Sequence, residues 1–183
     1  ADRDLDHPDL PVPGANDGAS GVAVLIELAR VIDTDLLQQP VWLVFFDAED
    51  GGNLPGGEWI VGSRYFAAHL EQVPTAVVVV DMVGDADLQL HYEVGSDPEL
   101  SAAIWSTAAR LGFPAFIPEA KHALLDDHTP FLERGFTAID IIDFDYPYWH
   151  TTHDTPDKVS ADSLEQVGRT LEVWLESGAP LAP

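Results

Sequence analysis

Apolar residues recur at helical spacing over 19–33, where Val22, Leu25, Ile26, Ala29 and Ile32 fall three or four positions apart. The next apolar run, "PVWLVFF" at 40–46, is continuous and short, the pattern of a buried strand. A glycine-rich stretch, "GGNLPGGEWIV" at 51–61, breaks the pattern, and "GSRYFAAHLEQV" at 62–73 resumes helical spacing. "TAVVVVDM" at 75–82 is β-branched and continuous, as in a strand covered on both faces. "ADLQLHYE" at 86–93 alternates and predicts a half-exposed strand. Asp97 and Pro98 have the chemistry of an N-cap and first helical residue, and that helix runs to about Leu111. Residues 114–127 read mostly as loop. "TPFLERG" at 129–135 is a short helix stopped by glycine, and "FTAIDII" at 136–142 is a strand. Ser160 caps a last helix that extends to about Ser177. Residues 1–17, rich in Pro and Asp, read as loop.

Strands that alternate with helices predict an α/β fold, a three-layer sandwich around a largely parallel mixed central sheet. The length of 183 residues suits one domain spanning 1–183. Sheets of this kind bind ligands beyond the carboxyl ends of their strands. The acids gather there in the sequence. Asp47, Glu49 and Asp50 follow the first strand, Asp81 ends the second, and Asp143 and Asp145 follow the last. The histidine-bearing loops around His128 and His150 flank that last strand.

Composition narrows the chemistry. Asp and Glu number 32 against 8 Lys and Arg, so a nucleic-acid partner, which needs basic patches, is excluded. There is no cysteine, so any metal centre must draw on His, Asp and Glu. No stretch approaches the ~20 consecutive apolar residues of a membrane span. The chain opens on the charged "ADRDLDHPDL" without a signal peptide. It reads as the interior of a longer protein, and its compartment stays open, with secreted and periplasmic settings both compatible.

Each candidate residue has a plain structural reading beside a chemical one. In "PGANDGASG" (13–21), Asp17 is placed to cap the first helix, while the flanking glycines point to a backbone pressed against something. In "FFDAEDGG" (45–52), Glu49 and Asp50 are either surface acids or a pair in which one carboxylate binds a metal and the other moves protons. Asp81 is either a turn residue or a carboxylate at the active edge that needs a partner. "DDHTPF" (126–131) offers helix capping or an acid–histidine cluster. "PYWHTTHDTPD" (147–157) sets His150 and His153 beside Trp149, and histidine–carboxylate sets suit zinc.

Taken together, "GANDGASGVAVLIELAR", "FFDAEDGG", "GSRYFAAHL", "VVVVDMVGD", "DDHTPFLERG" and "WHTTHDTPDKV" resemble, in order and over almost the whole chain, the zinc aminopeptidase and glutaminyl cyclase superfamily, the M28 peptidase clan. The resemblance implies a substrate of peptide or protein N-termini and a zinc site built from Asp17, Asp50 and His150. Asp50 stands where most relatives carry Glu. Glu49 matches the general acid/base. The family's sheet begins with strands upstream of Ala1, so this chain is expected to lack them. A single-zinc cyclase, converting N-terminal glutamine to pyroglutamate, needs only the three ligands named. In that branch Asp81 and Asp126 hydrogen-bond around Glu49, Trp149 forms an apolar wall, and His128 belongs to the pocket. A two-zinc aminopeptidase uses Asp81 as a ligand and also a His from an upstream His-x-Asp segment, which these residues do not include. The "DDH", "WHT" and "GSRYFA" segments look more like the cyclases.

Overall fold

The computed structural model describes residues 3–182. In chain order they form α1 (Ala19–Val31), α2 (Val61–His69), β1 (Val77–Asp81), β2 (Leu90–Tyr92), α3 (Pro98–Leu111), β3 (Phe116–Ala120), α4 (Thr129–Glu133), β4 (Ala138–Ile142), a 3₁₀ turn (Pro156–Lys158) and α5 (Ala161–Glu176). β1 pairs with β4 and β2 with β3, both parallel. Alternation along the strands sorts side chains onto two faces. Val78, Val80, Ile139 and Ile141 join the core with Val24 and Leu28 of α1, Ile104 of α3 and Val167 and Leu171 of α5. Val77 and Ala138 turn the other way, toward Ala67 of α2 and Phe131 of α4. The result is three layers, helix–sheet–helix, with parallel strands between, as the sequence pattern predicts.

Local chemistry sets the helix ends. Asp97 accepts hydrogen bonds from the N–H groups of Glu99 and Leu100, with Pro98 at the first helical position. Ser160 accepts from the Ser163 N–H at the start of α5. α1 lacks a side-chain cap: its N-cap is Gly18, and Asp17 does not cap it. Gly21 explains what α1 is pressed against. A Cβ there would lie 1.9 Å from the Val80 carbonyl oxygen, so only glycine lets α1 reach the end of β1.

That close approach also corrects the expected apolar face of α1. Ser20, Gly21, Val24 and Leu28 are the buried residues, while Val22 and Ile26 are exposed. The phase is fixed by Gly21 against β1, and Val22 and Leu25 turn instead to a cavity of about 610 Å³. Residues 40–46 line the same cavity, as does the whole of β1. The strand expected at 40–46 is not formed among the described residues. A strand needs a hydrogen-bonded neighbour, and among the described residues β1 forms its ladder with β4 alone.

Other boundaries shift as well. α2 stops at His69 because Leu70 is already extended, and the alternating segment at 86–93 keeps only three residues in its strand. Residues 116–120, expected as loop, form β3. Pro118 and Glu119 mask it in sequence, since proline is at home on an edge strand and β3 pairs on one side only. Of the loop expected over 1–17, residues 1 and 2 lie outside the described residues; the rest is loop, pinned where the buried Asp4 accepts from the Thr152 N–H.

Candidate metal centre

"FFDAEDGG" is held in place by backbone pairing across the loop that follows it. The Ile60 N–H donates to Glu49 O at 2.8 Å, the Val61 N–H to Ala48 O at 3.1 Å, and Asp50 bridges Trp59. Gly52 is pressed against the Trp59 ring, which a Cβ would overlap at 2.0 Å. The glycine pair thus lets Trp59 fold back over the loop, where its ring lies parallel to that of His150 at 6.2 Å. Asp47, to which the sequence assigns no chemistry, is exposed and accepts from the Ala48 N–H.

His150 arrives from the loop after β4. Its Nε2 lies 3.0 Å from Asp50 Oδ1 and 3.4 Å from Asp17 Oδ2. One ligand atom from each of Asp17, Asp50 and His150 lies within 4.8 Å of the other two. Two carboxylates and an imidazole converging in this way are a donor set suited to a divalent cation with an open position. The shorter side chain of Asp50 reaches because Trp59 and Ile60 anchor its backbone. Burial holds His150 down to about 4, so its imidazole is neutral, the form that ligates a metal.

The remaining acids stand around this centre. Asp81 ends β1, and its Oδ1 would lie 3.2 Å from a Cβ at Gly18, which places it against Asp17 across the Asp17–Gly18 peptide. It accepts from the Met82 N–H at 2.9 Å. Asp126 enters from the loop before α4. Burial, then the charge of Asp50, pushes Asp17 up to about 7. Burial and the neighbouring Asp50 push Glu49 up to about 10. Burial and the charge of Asp126 raise Asp81 well above the usual carboxylate range, and burial raises Asp126 too. Without a cation to offset them, burial and mutual repulsion favour the protonated form of all four acids.

Of the residues singled out in sequence, Asp17, Glu49, Asp50, Asp81, Asp126 and His150 come together. Trp149 stacks on His150 at 3.8 Å and against Phe144, half exposed as a wall would be. His128 is different. At 1 % exposure it lines no open surface and packs against Glu93, so any support it gives the pocket comes from behind.

Two residues were missed. Trp59 carries no motif. Asp154 is fully buried and accepts from the Asn16 N–H at 2.8 Å, the Asp17 N–H at 3.0 Å and the Tyr146 hydroxyl at 2.7 Å. It clamps the Asp17 segment to the loop that carries His150. Its signal is an acid four residues after that histidine. Asp154→Ala is expected to weaken metal binding about 10–100-fold, the usual cost of losing a group that orients ligands. Competition against a chelator checks this, and unchanged affinity contradicts it.

Residues 5–175 match the profile of Peptidase family M28. Aminopeptidase YwaD of Bacillus subtilis is 26% identical over 192 residues, covering 91% of this chain and 40% of that protein. Among solved structures, a glutaminyl cyclase of Porphyromonas gingivalis superposes with a TM-score of 0.77 at 33% identity, covering 90% of this chain and 66% of that one. A Zn-dependent exopeptidase from Parabacteroides distasonis reaches 0.82 at 29% identity, covering 96% and 67%. The chain therefore spans well under half of that curated relative and about two thirds of these structures.

Proposed function

The chain belongs to peptidase family M28, and on that premise we propose that it is a zinc-dependent glutaminyl-peptide cyclotransferase, turning N-terminal glutamine into pyroglutamate with release of ammonia. The carrying observation is the makeup of the centre. Asp17, Asp50 and His150 form one three-ligand group, and Asp81 belongs to no candidate ligand group among the described residues. That favours a single catalytic zinc at this centre, with Asp81 as an orienting acid. The likeness to the Porphyromonas gingivalis glutaminyl cyclase supports the same reading.

Zinc bound there supplies Lewis acidity toward the side-chain carboxamide of the substrate. The chain's own groups do the rest. Glu49 takes a proton from the α-amine as that nitrogen bonds to the carboxamide carbon. It returns a proton to the departing nitrogen as the carbon–nitrogen bond of the carboxamide breaks. Atoms balance without water: one ring closes and one ammonia leaves. Asp81 and Asp126 flank Glu49 and hydrogen-bond around it as its charge changes, and burial raises the pKa of both carboxyls. Trp149 and Trp59 wall the approach to His150 and keep it apolar.

An aminopeptidase reading draws on the similarity to YwaD and on the closeness of Asp81 to Asp17. In it Asp81 holds a second zinc and Glu49 activates water. Two substrates separate the readings. Glutaminyl peptides should yield ammonia while leucyl anilides stay intact; cleavage of the anilides without ammonia release overturns the cyclase assignment.

A further inference from the structure

β4 is buried along all five residues, and one of them is an acid. Alternation puts Asp140 on the α2–α4 side of the sheet with Ala138 and Ile142, opposite Ile139 and Ile141. It is 1 % exposed, and neither of its carboxylate oxygens has a hydrogen-bond partner among the described residues. A carboxylate left so in an apolar layer is costly unless a cation or proton meets it.

His128 faces it, also at 1 % exposure. Its Nε2 lies 3.1 Å from Glu93 Oε2. Glu93 accepts in addition from the Gly95 N–H, the Ser96 hydroxyl and the Leu124 N–H. With those donors Glu93 is an acceptor only, so the imidazole hydrogen sits on Nε2 and donates to it. In the neutral ring Nδ1 then presents its lone pair toward Asp140. It lies 3.6 Å from Asp140 Oδ2 and has no hydrogen-bond partner among the described residues. That is too long for an N–H···O bond. It matches two ligands of one tetrahedral ion, whose bonds of about 2.0–2.2 Å set ligand atoms about 3.3–3.6 Å apart. The His150–Asp17 pair is separated in the same way, by 3.4 Å. Asp126 completes the set, with one ligand atom from each of Asp126, His128 and Asp140 within 4.8 Å of the others.

We propose that Asp126, His128 and Asp140 hold a divalent cation of the zinc class, buried behind the catalytic acids and distinct from the centre at Asp17, Asp50 and His150. Glu93 orients the histidine, as a carboxylate behind a metal-bound imidazole does. The ion cancels the charge of Asp140 and ties the Asp126 loop to β4, and so fixes where Asp126 meets the catalytic acids. Its function is positional.

The test is zinc content of the full chain, stripped with chelator and reloaded with zinc. Two zincs per chain are expected, falling to one in His150→Ala, to one in Asp140→Asn and to none in the double variant. Asp81→Asn should keep two, which separates this site from a second zinc of the aminopeptidase kind. An unchanged content in Asp140→Asn, or loss of a zinc in Asp81→Asn alone, overturns the proposal and leaves a shared proton to neutralise Asp140. Should Asp140→Asn fail to fold, cobalt loaded into His150→Ala decides: intense visible bands support the buried site, and their absence overturns it.

Discussion

Glu49→Gln is expected to lower turnover about 10²–10⁴-fold, the usual contribution of a positioned general acid–base, while zinc stays bound. Glutamine keeps the size and one acceptor of glutamate but cannot carry a proton between the amine and the leaving nitrogen. The proposed zinc ligands are elsewhere, on Asp17, Asp50 and His150. The backbone of Glu49 is held by the Ile60 N–H whichever side chain it bears. Elemental analysis beside a kinetic assay checks both halves. Loss of zinc together with activity makes Glu49 a ligand, and retained turnover removes it from the reaction.

The second large effect is on stability. Without metal, Asp17 and Glu49 hold their protons to about 7 and about 10, against 3.8 and 4.5 for the free side chains. The unfolded chain gives those protons up above about pH 4, and the folded chain keeps them. More protons on the folded state means that stability falls as pH rises, from about 4 through 7 for Asp17 and onward for Glu49. The shift on Asp17 alone corresponds to ~4 kcal/mol. The metal-free chain should therefore unfold at lower temperature or denaturant at pH 8 than at pH 5. A bound cation favours the ionised carboxylates and binds better once they are ionised, so the zinc-loaded chain should lose this trend. Unfolding curves at the two pH values, with and without chelator, read the difference. A metal-free chain as stable at pH 8 as at pH 5 refutes the burial of unpaired acids.

Three of the candidate residues were legible because they follow an apolar run or a strand. Asp50 and Asp81 each close an apolar run, and His150 follows the last strand. Alternation of helices and strands was sufficient for the layered α/β arrangement. What escaped was whatever depends on distant partners. Asp154 meets the Asn16 N–H across 138 residues of sequence, and no local pattern announces that. The strand expected at 40–46 has the right side chains, but pairing is a property of neighbours. β3 was hidden by Pro118, whose missing N–H an edge tolerates. The face of α1 was misjudged because Gly21, with no side chain to count, decides which way the helix turns. His128 looked like a pocket residue beside two acids, whereas its partners, Glu93 and Asp140, come from two other strand regions.

The most direct test of the assignment is to follow the fate of solvent oxygen. The zinc-loaded chain is incubated with a glutaminyl peptide in oxygen-labelled water, and the products are weighed by mass spectrometry. Ring closure by the substrate's own amine predicts a pyroglutamyl peptide free of label, with one ammonia for each molecule formed. A labelled free amino acid and a shortened peptide would mean that water attacks the chain, and would contradict cyclisation at this centre.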